Sequence, residues 1–307
     1  MAFGLQTADD GSRRESLLSI LKDVSPNTDN YFVTNLGVAS PASNTLHEWV
    51  TYNTARPTSV TFAIEGADAA YADLTAPART NNITAIVSEP VKVSGTERAV
   101  STALSEDPYA FQKRQALIRL KAKMEWATIN GTRASGSSGV ARGMAGFDGM
   151  ISSCVTGRAS GTSFTETELN DILQDSWDQV GSEYVADLLV APMVIKRRIS
   201  GFTSNLTRNI DASSKKLVNE IRVYDSQVGQ TVMVIPHKDV RAVAGSLTVY
   251  ALREDTYKHS FLKGREPNFQ SLAVSGDYDA GQYLTEFTLV SFAQRASAKR
   301  TGYATTL

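Results

Sequence analysis

The sequence predicts an α+β fold. Three observations carry this. One is a 23-residue helix, Pro108 to Asn130, with apolar residues on two opposite faces. Another is the mixture of helix and strand patterns over residues 160–250, an α/β or α+β body. The third is a long stretch, poor in large apolar groups, that joins two strand-like runs near residues 44–94.

The helix has clear ends. Asp107 is placed to cap its first amides, and Pro108 suits the first helical position. Asn130-Gly131 is a stop signal. At ~100° per residue, Leu117, Leu120, Met124 and Ala127 form one stripe. Phe111, Ile118, Ala122 and Ile129 form another nearly opposite, with Trp126 at its edge. Arg114, Lys121 and Glu125 fill one ridge between them, and Gln112, Arg119 and Lys123 the other. Such a helix, roughly 35 Å long, must be covered on both sides, either by two layers or by its own domain and a neighbouring subunit. The plainer reading is a central helix of an ordinary α/β core with solvated basic ridges.

The remaining elements follow in chain order. Residues 1–30 read as a polar arm in which Leu17, Leu18, Leu21 and Val24 make a short amphipathic piece able to dock. "NTLHEWVTY", 44–52, is a strand whose expected partner is "NITAIVSEPVKVS", 82–94, with Pro90 marking an edge or a bulge. About thirty residues rich in Ala and Thr lie between them. A loop this long is normally functional or disordered, and "VTFAI", 60–64, favours a projecting two-stranded arm. An isolated hairpin is marginal in water, so the arm needs a partner surface. After the helix, "GTRASGSSGVARGMAGFDG" reads as a flexible connector, with no Gly-x-x-x-x-Gly-Lys phosphate cradle. "TETELNDILQDSWDQV" starts a second helix with a Thr165/Glu168 capping box and one apolar stripe of Leu169, Ile172, Leu173 and Val180. "ADLLVAP" is a buried strand entering a helix that starts at Pro192. "LVNEIRVYDSQVGQTVMVIP" is a hairpin turning at Asp225–Gly229, and "SLTVYAL" and "QYLTEFTLVSF" are later strands.

Composition narrows the function classes. The 307 residues are 42% hydrophobic and 21% charged, enough for one large domain or two modest ones. A formal net charge of −1 argues against a dedicated nucleic-acid binder, which would be basic. The one cysteine, Cys154, permits no internal disulfide and is compatible with a reducing compartment. The N-terminal stretch lacks the apolar run of a signal peptide, and no segment approaches 18 consecutive apolar residues. The Asn-x-Thr matches at Asn82, Asn130 and Asn205 are read as chance.

The search for chemistry finds no coherent site. His47, His237 and His259 are scattered without metal-ligand spacing. No Gly-x-Ser-x-Gly elbow exists. Gly143, Gly146 and Gly149 resemble a dinucleotide fingerprint only loosely, because they follow a loop rather than a strand. Asp171, Asp175 and Asp178 share a helix face that reads as solvated rather than cation-binding. Cys154, beside Ile151 and Val155, reads as a small core residue rather than a nucleophile. No catalytic, cofactor-binding or metal-ligating residue is assigned.

Several segments, in order, resemble the major capsid (head) proteins of tailed bacteriophages. "EGADAAYADLTAPARTNNITAIVSEPVKVSGTERAV" resembles that family's extended loop and returning strand, and residues 108–130 its backbone helix. "ARGMAGFDGMIS" resembles the Arg-x-Met-Ala-Gly run after it. "LAVSGDYDAGQYLTEFTLVSFAQRASA" resembles the closing segment, with a Leu-Ala-x-x-Gly-Asp turn and a long strand. The resemblance covers about residues 60–155 and 255–300; the stretch 160–250 is less distinctive.

The resemblance implies the Hong Kong 97 (HK97-like) capsid fold. Its expected parts are an N-terminal arm (1–30), an extended loop (44–94), a peripheral domain (31–43, 95–155 and 255–293, with the spine helix 108–130) and an axial domain (156–254 and 294–307). It also implies a non-enzymatic subunit that self-assembles as pentamers and hexamers into an icosahedral head. The head would enclose double-stranded DNA through weak non-specific contacts, with a portal at one vertex and room for decoration or scaffolding proteins. A separate scaffold, or none, is expected rather than a fused one. The setting would be the virion, and the host cytoplasm during assembly, with no membrane and no cofactor. Some relatives carry covalent isopeptide crosslinks, but no Lys–Asn pair is identified here. An encapsulin-like cargo compartment is the alternative, and an α/β enzyme using Cys154 or the aspartate helix is a remote one.

Overall fold

The computed structural model describes residues 30–53, 57–66, 68, 76–100, 107–181, 183–202, 210–211, 216–217, 223–227, 229–240, 245–273 and 275–306. The arm expected at 1–30 and part of the loop tip therefore lie outside the described residues, Asn30 apart.

The chain opens with a short helix α1 (Tyr31–Asn35) and strands β1 (Gly37–Val38) and β2 (Leu46–Thr51). It continues through β3 (Ala78–Ile83), β4 (Ala85–Ser94), α2 (Gly95–Ala99), the long helix α3 (Pro108–Asn130) and α4 (Phe147–Met150). Next come β5 (Val155–Thr162), α5 (Glu166–Val180), β6 (Leu188–Ala191) and α6 (Met193–Ser200). The short strands β7 (Ile210–Asp211), β8 (Lys216–Leu217) and β9 (Val223–Asp225) lead to β10 (Thr231–Pro236) and β11 (Leu247–Leu252). The last strands are β12 (Tyr257–Phe261), β13 (Asn268–Ser271), β14 (Tyr278–Ser291) and β15 (Ala298–Tyr303).

Two sheets dominate. One runs β1-β12-β14-β13 with β4 also on β14; the other runs β5-β15-β11-β6-β10-β9. The mixed sheet buries an apolar layer of Leu189, Ala191, Val232, Val249 and Ala298 under Leu169, Ile172 and Leu173 of α5 and Ile195 and Ile199 of α6. In the other sheet, Ala85 and Phe287 pack with Leu120 and Met124 of α3 and with Met144. A third cluster, including Phe32, Trp49, Ile129, Phe147, Tyr250, Tyr257 and Leu289, draws side chains from both sheets and from α1, α3 and α4.

Several local expectations hold. The Asp107 carboxylate accepts from the Tyr109 amide, and Pro108 opens α3. Thr165 caps α5 through the Glu168 amide. β9 and β10 form the expected hairpin, with Gly229 in the left-handed region (φ +82°). Pro192 precedes α6 in extended backbone, one residue before its first turn. β4 pairs with β14 alone among the described strands, so Pro90 sits on an edge strand, where its missing N–H costs no ladder bond.

Others are corrected. Only the first residues of the run 82–94 pair with 44–52, Asn82 facing His47 and Ile83 facing Leu46. The run breaks at Thr84: β3, immediately before it, pairs with β2, while β4 joins the sheet beside β14. The cause is Asn82, treated below. The glycine-rich connector is not featureless. Ala134 pairs with Gly143 and Ser137 with Val140, closing a tight hairpin whose turn uses Gly139 at φ +79°. Gly131 ends α3, but not through a left-handed cap, since its φ is −57°. A Cβ there would stand 2.4 Å from the Ala127 carbonyl oxygen and 2.7 Å from that of Met144, and one on Gly146 would stand 2.6 Å from the Ala127 and Thr128 oxygens. These two glycines let the Arg142–Gly146 run pass against the helix end.

Candidate assembly interface

The loop between β2 and β3 is hydrogen-bonded to the body at its base and exposed beyond it. Asn82 is fully buried and all of its amide capacity is used. Its Nδ2 donates to the carbonyls of Ala145 (3.0 Å) and Leu289 (2.9 Å), and its Oδ1 accepts from the amides of Ile83 and Ala145 (2.9 Å each). This four-way fixture holds the chain where it leaves the hairpin and enters the sheet. Beside it the Trp49 indole N–H donates to the Ser291 carbonyl at 2.8 Å. Buried Glu286 accepts from the Thr84 hydroxyl and from Arg142, and pairs with Arg265 at 2.9 Å. Further out, all the described residues of 57–66 are exposed. Val60, Phe62 and Ile64 are 74%, 88% and 81% exposed. They lie outside any strand and leave three large apolar side chains in solvent.

The long helix repeats this asymmetry. Ala116, Leu120 and Met124 are buried, as the first stripe requires. On the opposite stripe Ile129 is buried, but Phe111, Ile118 and Ala122 are only half-buried and Trp126 is 41% exposed. The second stripe is thus closed at Ile129, in the last turn of α3, and left open from Phe111 to Trp126. Arg119 and Lys123 on the ridge between the stripes pair with Glu89 of β4 at 2.5 and 2.6 Å. Burial pushes the Glu89 carboxyl up, but its bonds to Lys123 and Arg119 outweigh this and hold it below the usual carboxylate range.

Near its C-terminal end α3 carries a feature that the sequence reading missed. α1 has no side-chain cap of its own. Glu125 of α3, fully buried, supplies one: its two oxygens accept from the Phe32 and Val33 amides at 2.8 Å each. The same carboxylate accepts from His237 Nε2 at 3.0 Å, while His237 Nδ1 accepts from the Asp239 amide. The imidazole proton therefore sits on Nε2. Nearby, His259 is pushed down to about 4 by burial and donates to Thr128 Oγ1, whose own proton goes to the Met124 carbonyl. Only the i to i+4 spacing of Glu125 and Ile129 on the covered stripe hinted that this carboxylate faces inward.

Glu125→Ala should therefore destabilise the subunit by roughly 3–5 kcal/mol, since it orphans two amides and an imidazole N–H at about 1–3 kcal/mol each, less what water recovers. Glu125→Gln, which keeps an acceptor, should lose less. Denaturant midpoints of the three proteins check this order, and equal midpoints would contradict it.

The residues considered for chemistry are accounted for structurally. Arg300, buried, pairs with Asp175 (2.6 Å), Glu168 (2.8 Å) and Asp171 (3.5 Å). Arg158 pairs with Glu168 and Asp171. The aspartate face is thus partly occupied by guanidinium groups rather than solvated throughout, and Asp178 alone of the three is exposed. The Glu168 half of the expected capping box does not form, and its carboxylate instead accepts from the Tyr303 hydroxyl and these arginines. Cys154 is buried, and burial together with Asp175 pushes its thiol up, against nucleophilic use. Among the described residues no group of three or more His, Cys, Asp and Glu could hold a metal, and no helix is long and apolar enough to cross a membrane.

Comparison with known proteins agrees with this picture. The family model of the SU10 major capsid protein matches residues 3–304. No curated protein matches the sequence. Among solved structures, a chain of Mycobacterium phage Bobi is similar at 11% identity and a TM-score of 0.62, with 95% of this chain and 97% of that one covered. The capsid of Myoviridae phage XM1 is similar at 13% identity and 0.58, covering 95% and 100%. The SrpI encapsulin complex of Synechococcus elongatus is similar at 14% identity and 0.58, covering 96% and 94%. At such identities these structures speak for the fold alone.

Proposed function

The chain belongs to the SU10 major capsid protein family, and from that premise we propose how this major capsid protein of a tailed bacteriophage builds its shell. It is a structural, self-assembling protein and not an enzyme. Copies form pentamers and hexamers in an icosahedral head around double-stranded DNA, with a portal at one vertex. Val60, Phe62 and Ile64 seat on an adjacent copy, and the open stretch of α3 at Phe111, Ile118 and Ala122 is covered in the shell. We assign the loop to 44–83, the peripheral domain to 31–43, 84–155 and 255–293, and the axial domain to 156–254 and 294–307. β4 goes with the peripheral sheet because it pairs with β14.

The family match over residues 3–304 carries this reading. Negative-stain microscopy of the purified native protein tests it: closed icosahedral particles are expected, and only monomers would contradict it. DNA inside native particles separates a phage head from an encapsulin-like cargo compartment.

Contacts with DNA are weak and local. The net charge is −1, and several basic side chains of α3 and β15 are paired within the subunit. Arg119 and Lys123 pair with Glu89, Lys299 with Asp148, and Arg300 with Asp175. The free subunit should bind duplex DNA no better than the roughly 10⁻⁴–10⁻⁶ M of non-specific binding at physiological salt. Fluorescence anisotropy across salt concentrations measures this, and submicromolar affinity with a steep salt slope would reveal a genuine nucleic-acid surface.

A further inference from the structure

An apolar groove of about 200 Å³ lies beside α3. Its walls include Val33 and Leu36 from the α1 segment, Val38 of β1, Leu117 and Leu120 of α3 and Phe261 of β12. Val38 is 64% exposed and Leu117 half-buried, so the groove is open to solvent. It falls below the ~300–1,000 Å³ of small-molecule sites, and its polar wall residues are Lys121 and His259, the latter already bonded to Thr128. Its dimensions suit a few aliphatic side chains from a polypeptide.

Residues 1–29 contain one stretch of matching chemistry. Leu17, Leu18, Leu21 and Val24 stand at i, i+1, i+4 and i+7, the spacing of one helical face. The tether is short. Val24 is six residues from Asn30, at most about 20 Å of extended chain, and Val33, three residues further on, is already in the groove wall. A short tether also raises the effective concentration of the segment at its own groove. We propose that residues Leu17–Val24 dock into this groove of the same subunit. The proposal goes beyond the shell-forming reading and does not depend on it, because it concerns a single copy.

Disulfide trapping in the full-length protein tests it. A chain carrying both Leu21→Cys and Leu117→Cys should oxidise to an internal link between positions 21 and 117, seen as a monomer on a non-reducing gel and as a linked peptide by mass spectrometry. Cys154 is buried and stays in place. A mixture of chains carrying one substitution each should give no linked dimer. Dimers from the mixture without an internal link in the double variant would assign the groove to a neighbouring copy and overturn docking in cis. No link in either would overturn docking altogether. Val38→Asp gives a second reading on a variant whose changed side chain is mostly in solvent. It should speed tryptic cleavage after Lys22 on the order of tenfold, the equivalent of ~1.4 kcal/mol, with unchanged circular dichroism. Equal cleavage rates would contradict the proposal.

Discussion

Replacing residues 52–77 with an Asn-Gly turn should leave a folded, soluble subunit that forms no closed shells. Thr51 and Ala78 face each other in the last register pair of β2 and β3, so a two-residue turn of this composition joins them without altering the ladder. The fixtures at the base, Asn82, Trp49 and Glu286, all lie outside the replaced segment. What is lost are the exposed side chains of Val60, Phe62 and Ile64, which contribute nothing to the subunit's own core. The effect should thus fall wholly on assembly. Size-exclusion chromatography and negative-stain microscopy of the variant and its parent measure it. Shells of normal diameter from the variant would show that the loop is dispensable.

Leu120→Asp should abolish soluble subunit. Leu120 is fully buried against Ala85, Met124, Met144 and Phe287. Losing a buried leucine costs about 2–5 kcal/mol, and an unpaired carboxylate in its place adds several more. The sum reaches most or all of the ~5–15 kcal/mol that holds a typical domain together. Ile118→Asp is the contrasting case. Ile118 is half-buried on the open part of the other stripe, so the subunit should keep its circular dichroism while shell yield falls. A soluble Leu120→Asp protein with native dichroism would refute the burial of the first stripe. Undiminished shells from Ile118→Asp would refute the idea that the second is covered on assembly.

Features specified by neighbouring residues were readable from the sequence. Asp107 and Pro108 mark the start of α3, Thr165 the start of α5, and Pro90 an edge strand, because each acts on backbone within a few residues of itself. The partner of β2 was not readable. Residues 78–83 and 82–94 both continue the chain after the loop, and the choice depends on Asn82, whose acceptor at Leu289 is 207 residues away. Glu125 reads as a ridge residue in a helical projection, because His237 lies 112 residues further on. The connector after α3 looked flexible from its glycines, yet some of them are there because carbonyl oxygens of the helix end pass too close for a side chain. Composition shows many glycines but not which contact each one serves.

The place of β15 in its sheet bears on how the protein is made. Residues 298–303 sit between β5 and β11 rather than at an edge, although β5 precedes them by more than a hundred residues. During synthesis, β5 and β11 wait with unpaired backbone edges until this late strand is available, which makes the sheet slow to close and prone to association meanwhile. A chain that stops before residue 298 lacks an interior strand and cannot complete the sheet. A copy truncated there should therefore fail at the folding step, before it can be built into a lattice where one misfit would be repeated against every neighbour.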